Sequence, residues 1–265
     1  MESKRIKIDY SPVQISKKTQ DMLEKVEQKK NIIQQKRPFE GEILRQVREF
    51  YKIDLVWSSE ALEGNSLTIG ETKVLLEDGI TVGGKPLKDV LRTYGHGEAY
   101  DYMFSLLHQK TLTIQEICEM HKILLGKERP EIAGIYKPYD NFISGSQYTT
   151  IPKEKVFEEM ERLGKWMKEN ENIMHPLIYA AELHRKLVYI HPFQDGNGRA
   201  ARLAMNTKLI QNQYLPCLIS PAIRLDYNNA LEAGRRGQRD QFIYVIAEAE
   251  HETEKDFGRY MNIDF

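Results

Sequence analysis

Residues 191–202 read HPFQDGNGRAAR, and the stretches on both sides carry apolar residues at helical spacing. Asp-Gly and Asn-Gly in tandem would ordinarily turn a hairpin. With helices on both flanks, Gly196-Asn197-Gly198 instead reads as a loop feeding a helix N-terminus. The first N–H groups of such a helix lack intrahelical partners and stand at the positive end of its dipole, a ready site for an anion. Arg199 and Arg202, one turn apart, add two fixed positive charges beside it. Asp195 is a hard oxygen ligand, suited to a Mg²⁺ that keeps its waters and shares a polyphosphate. His191 can take a proton near neutral pH. Glycines, guanidiniums, an acid and a base thus meet at one phosphate-sized place. Two plainer readings stay open here: His191 as a core or capping residue, or His184, His191 and Asp195 as ligands of a metal hydrolase. The latter spacing is not a recognised zinc signature.

The rest of the chain reads as an all-α fold with one β-hairpin inserted. Met22, Leu23, Val26, Ile32 and Ile33 form a helical stripe that Pro38 ends. Ile43, Val47, Phe50 and Tyr51 begin a second stripe running toward Trp57, and Gly64-Asn65 follows where left-handed backbone would close that helix. Thr68 with Glu71, and Thr113 with Glu116, fit the capping box before apolar helical stretches, and Gly126 is expected to end the second of these. Ile135, Tyr136, Phe142, Ile143 and Tyr148, interrupted by Ser144-Gly145-Ser146, predict the hairpin. Helical patterns resume at Lys153 and run through Leu177, Ala181, Leu187 and Val188.

At 265 residues, 41 % hydrophobic and 29 % charged, the chain can bury a substantial core as one large domain with a helical appendage. A net charge of -1 leaves no whole-surface footprint for nucleic acid. The ten Lys/Arg against five Asp/Glu in the first 37 residues read as a solvated helix face. No apolar run is long enough for a membrane span or a signal peptide, so a soluble, cytoplasmic protein with no membrane partner is expected. Cys118 and Cys217 lie far apart among apolar residues and read as core hydrophobes of a reducing compartment.

His191 to Arg202 resembles the Fic motif, HPFx(D/E)GNGRxxR, at all nine of its specified positions. His184 to Ile190, Ala133-Gly134 with the hairpin, and Tyr227 to Phe242 also resemble that family, so the likeness covers roughly residues 55–250. It implies a helical bundle around the motif's helix-loop-helix and a protein adenylyltransferase that uses ATP and Mg²⁺. In that role His191 would deprotonate a Ser, Thr or Tyr hydroxyl of a target protein, and Asp195 would hold the metal. Gly196, Asn197 and Gly198 would cradle the phosphates, with Arg199 and Arg202 on the β- and γ-phosphates. The hydroxyl would attack the α-phosphorus and pyrophosphate would leave. The Doc-like branch carries Lys where this chain has Gly198, so the resemblance favours nucleotide transfer over phosphate transfer.

In the family the hairpin is a flap that pairs with an extended segment of the target. Here the flap would span about 141–149, with Ser144, Gly145, Ser146 and Gln147 near the nucleotide, and it departs from the usual pattern at Gln147-Tyr148-Thr149-Thr150. Tyr227 falls where relatives set a tyrosine against adenine or ribose. Asn228 replaces a second aromatic there, and Arg235 stands where some relatives have Asn. The partner implied is a target protein docked on the flap, with self-modification or a homodimer also compatible.

Ser59 to Gly64, SEALEG, resembles the inhibitory motif (S/T)xxxE(G/N) of the class whose inhibitory helix precedes the core. Glu63 would pair with Arg202 and occupy the guanidinium that the γ-phosphate needs. Glu60, three residues earlier, is expected to be neutral in this respect. Two other functions fit the same residues: a de-AMPylase with Glu63 as its working base, and a braked nucleotide-binding interaction module. The organisation expected is a helical extension over 1–54 and a Fic domain over 55–265, with the inhibitory helix at about 55–64.

Overall fold

A computed structural model describes residues 4–36, 41–81, 83–109, 111–143, 146 and 148–265. The first helix, α1 (Lys17–Lys36), turns Leu23, Val26 and Ile33 inward, and it lies along the last helix, α10 (Asp240–Met261). Pro38 lies outside the described residues. The second stripe forms α2 (Gly41–Leu62), which buries Val47, Tyr51, Leu55 and Val56. It runs unbroken across residue 54, so the expected division of the chain falls inside one helix. Gly64 takes φ 85° just past its end, left-handed backbone that costs a glycine little.

Both capping boxes form. Thr68 opens α3 (Ile69–Asp78) and Thr113 opens α5 (Ile114–Leu125), with Glu71 and Glu116 reaching back to the respective cap N–H. Between them lies α4 (Leu87–Ser105); after them come α6 (Lys153–Asn170) and α7 (Pro176–Ile190). The series continues with α8 (Asn197–Gln211), a 3-10 turn (Pro221–Ile223) and α9 (Arg224–Arg235).

The core centres on α7, buried from Tyr179 to Ile190, whose most extensive partner is α8. Ala180, Ala181, Ala200, Ala201 and Ala204 are all buried on these two helices, and small side chains permit close approach. The loop between α7 and α8 is thereby held by two deeply packed helices.

The expected hairpin is represented by a short pairing around Thr149. Among the described residues only one antiparallel bridge joins Phe142 to Thr149, while β2 (Tyr148–Thr149) pairs in parallel with β1 (Lys4–Arg5) near the chain start. Phe142 is 80 % exposed, while Tyr148 packs partly buried against the core. Ser144, Gly145 and Gln147 lie outside the described residues. Among the described residues, no helix is long and apolar enough to cross a membrane.

Candidate active site

Helix α7 ends at Ile190, and His191 caps it at φ 52°, left-handed backbone that is uncommon for a side-chain-bearing residue. Its N–H still reaches Leu187 O at 2.9 Å. The chain then dives inward at Phe193, which stacks on His121 with centroids 3.7 Å apart and planes 7° from parallel. Asn197 fixes the turn with both ends of its amide: Oδ1 accepts from Phe193 N–H and Nδ2 donates to Phe193 O, each at 2.9 Å. Gly196 sits at φ 76°, and a Cβ there would stand 2.5 Å from Leu125 Cδ1, so conformation and space both demand glycine.

His121, on α5, supports this loop from below. Its Nε2 donates to Asp195 O at 2.8 Å while Nδ1 accepts from Gly134 N–H at 3.0 Å. Both partners require a neutral ring, and burial pushes its pKa down to about 4. Nothing in the sequence marks His121 as a partner of residues 74 positions away.

A cavity of about 680 Å³ opens at the start of α8. His191, Asp195, the Gly196-Asn197-Gly198 turn, Arg199, Arg202 and Glu63 all line it, as the sequence anticipates for one anion site. The volume lies within the range of small-molecule sites. His191 Nδ1 donates to Val188 O at 3.3 Å, since a carbonyl can only accept, which leaves Nε2 as the basic nitrogen. Burial holds the His191 pKa down at about 4, helped by the charge of Lys137. Lys137 itself is buried, with Nζ donating to Asn141 Oδ1 and Thr150 Oγ1, both at 2.9 Å, and its pKa falls to about 8 through desolvation. Asn141 in turn donates to the Phe193 carbonyl at 3.0 Å, tying the segment before Phe142 to the motif loop.

Arg202 is almost fully bonded. Its Nε donates to Ser59 Oγ at 2.7 Å, and Nη2 donates to Ser59 O at 3.0 Å and to Glu63 Oε1 at 2.6 Å. Tyr227 lies buried beneath it, accepting from Arg202 Nη1 at 3.4 Å and donating to His184 Nε2 at 2.9 Å. The Tyr227 hydroxyl is therefore engaged by the arginine and His184, although its side chain does line the cavity. Those bonds also give His184 a role in packing under Arg202. Asn228 and Arg235 line the cavity near Tyr227, and Ser146 is the one described member of the four flap residues that does so. Arg235 stacks over the Tyr189 ring, 4.7 Å from its centroid, and its Nη1 has no hydrogen-bond partner among the described residues.

Glu60, expected to be neutral for the brake, is buried, and its Oε1 accepts from Arg199 Nη1 at 3.1 Å and from His96 Nδ1 at 2.9 Å. Arg199 and His96, with Asn65, hold its carboxyl well below the usual range against the upward push of burial.

Asp195 is 35 % exposed at the cavity edge, where Oδ2 accepts from Arg92 Nη2 at 3.1 Å and lies 3.9 Å from Arg129 Nη1. No group of three or more His, Cys, Asp or Glu among the described residues forms a metal cluster. A single loop carboxylate is a donor set that fits Mg²⁺ shared with a polyphosphate.

The chain is similar to known proteins over most of its length. Residues 111–209 match the model of the Fic/DOC family. A protein adenylyltransferase Fic of Nematostella vectensis is 33 % identical over 245 residues, which are 91 % of this chain and 56 % of that protein. The chain spans about half the length of the curated relatives it matches. Residues 134–508 of Fic-1 from C. elegans superpose with a TM-score of 0.82 at 27 % identity, over 92 % of this chain and 73 % of that one. IbpAFic2, solved covalently tethered to Cdc42, shares the fold at a TM-score of 0.56 and 16 % identity, over 94 % of this chain and 74 % of that one.

Proposed function

The chain carries a domain of the Fic/DOC family, and we propose that it is a protein adenylyltransferase moving AMP from ATP to a hydroxyl side chain of a target protein, with Glu63 as its brake. One observation carries this reading: the 2.6 Å Glu63–Arg202 pair stands in the same cavity as His191, Asp195 and the glycine turn. An anion site occupied by the chain's own carboxylate is a site that competes with a phosphate.

The triphosphate takes the N-terminus of α8, with Arg199 and Arg202 on the β- and γ-phosphates and Asn228, Tyr227 and Arg235 toward the base. His191 Nε2 accepts the proton of the target hydroxyl as its oxygen attacks the α-phosphorus. The bond to the β-phosphate oxygen breaks, and pyrophosphate leaves. Mg²⁺, held by Asp195 and the phosphates, would supply positive charge against the leaving group. The protein contributes position and charge more than covalent chemistry. Tyr139 and Phe142 are exposed apolar residues beside the flap bridge, which supports docking of an extended target segment there. The two unpaired cysteines support a reducing compartment such as the cytoplasm. Glu63, 39 % exposed in the cavity, also supports a second activity, orienting a water that hydrolyses the AMP ester.

The test is incubation with labelled ATP and Mg²⁺, comparing wild type with Glu63→Gly, Glu63→Ala and Glu63→Gly/His191→Ala. Wild type should label itself and candidate targets weakly. Both single variants should label on the order of 100-fold faster, since misplacement of the α-phosphate by about 1 Å costs that much. The double variant should be silent. Equal rates for wild type and Glu63→Ala sink the brake; labelling by the double variant sinks the role of His191.

A further inference from the structure

We propose that Glu60 is the positioning residue of Arg199, so that one turn of α2 holds both arginines of α8. The inference rests on reading the cavity as a nucleotide site. Ser59 and Glu63 bind Arg202, and Glu60, between them in sequence, binds Arg199. The two carboxylates differ in their surroundings. The Glu60 side chain is 3 % exposed, and its Oε2 accepts from Asn65 Nδ2 at 3.2 Å, while Asn65 also donates to Asp89 O and Thr93 Oγ1 on α4. Glu60 is thus locked between α2, α4 and α8, whereas Glu63 faces the open cavity.

Arg199 has little else to hold it. Its Nη2 stands 3.8 Å from Asp195 Oδ1, and its Nε has no hydrogen-bond partner among the described residues. Without Glu60 the guanidinium is drawn toward Asp195, at the edge of the cavity, and the phosphate site loses its shape. A consequence follows for the brake. Withdrawing α2 would free Arg202 but would also release Arg199, so relief must come from movement of the Glu63 side chain with the helix in place.

The experiment compares Glu63→Gly with Glu63→Gly/Glu60→Gln and Glu63→Gly/Glu60→Ala, by calorimetry with ATP, ADP and AMP. Losing the charged partner of Arg199 should weaken ATP and ADP about 10-fold, the scale of one charge-assisted bond, and leave AMP nearly unchanged. A general packing defect would weaken all three alike, and that result, or unaltered ATP affinity, overturns the proposal. Crystal structures of the Glu60 variants decide the matter independently of nucleotide. The Arg199 guanidinium should move by more than about 1 Å, the scale of a functional misplacement, and an unmoved guanidinium in both variants overturns the proposal. Should the Glu60→Ala protein fail to fold, Glu60→Gln carries both measurements. A Glu63→Gly parent that binds no nucleotide sinks the nucleotide reading, while the crystal structures still decide the positioning of Arg199.

Discussion

Oε1 of Glu63 lies 2.5 Å from the point where a Cβ on Gly198 would stand. The glycine that keeps the anion loop open is therefore also what leaves room for the carboxylate on Arg202. Arg202 Nη1 would stand 3.1 Å from the same Cβ, so an added methyl crowds both partners of the ion pair. Gly198→Ala should destabilise the wild-type protein by about 1–2 kcal/mol through overpacking. In a Glu63→Ala background the same change should cost less than half as much, because one of the two crowded groups is gone. A double-mutant cycle of denaturant unfolding measures this coupling, and strict additivity would place Glu63 elsewhere in solution.

The low pKa of His191 sets a pH profile for transfer. A solvated imidazole loses its basic form below about 6.5, but burial and the charge of Lys137 keep His191 neutral down to about 4. In the Glu63→Ala protein, kcat should stay flat from pH 8 down to about 5.5 and fall as pH approaches 4. Lys137→Met removes the nearby charge, so the acid limb should move to higher pH. A limb centred near 6.5 in the parent would mean that His191 is solvated.

His121 touches the backbone of Asp195 and the ring of Phe193, with no place among the residues lining the cavity. His121→Ala removes two hydrogen bonds and a stacked ring together, a loss of about 2–4 kcal/mol. Activity of the Glu63→Ala protein should fall with it at temperatures where the fold persists, since the metal and phosphate subsites share that loop. His121→Asn can restore part of the bonding and none of the stacking. Calorimetric Tm and labelling rate, measured together, check both expectations.

Two glutamates outside the cavity lining give stability a dependence on alkaline pH that can be tested. Glu250 and Glu254, one turn apart on α10, are buried, and Glu254 Oε2 has no hydrogen-bond partner among the described residues. Burial raises the pKa of both, that of Glu250 to about 8. A folded-state pKa above the unfolded value gives stability that is full below about 4.5 and is lost as pH rises toward 8. Lys29 and Lys30 of α1 oppose this rise, while Glu27 of α1 adds to it at Glu254. Glu250→Gln should therefore raise Tm at pH 8 by several degrees and change it little at pH 5. A variant equally shifted at both pH values would trace the effect to packing.

What the residues determined without tertiary context was short-range. The capping boxes at Thr68 and Thr113 and the glycine stop at Gly64 all act across three or four residues, where backbone geometry is the main cause. The pairing of Glu63 with Arg202, 139 positions away, became legible only through a family motif, because no local rule connects them. Glu60 shows where such reading stops. It and Glu63 are the same residue type, one turn apart at one helix end, yet one is sealed against Arg199 and His96 and the other faces the cavity. Likewise His121 and Lys137 carry no signal in the chain that would set them apart from other core or surface residues. The residues between Ile135 and Tyr148 suggested a hairpin, where the described residues hold a single antiparallel bridge and Thr149 also pairs with Arg5. Local preference selects helices and turns, but which side of each is removed from water depends on what packs against it. That was decided by α7 and α8 at the centre of the fold, and burial is what turns a surface carboxylate into a fixed partner of a buried guanidinium.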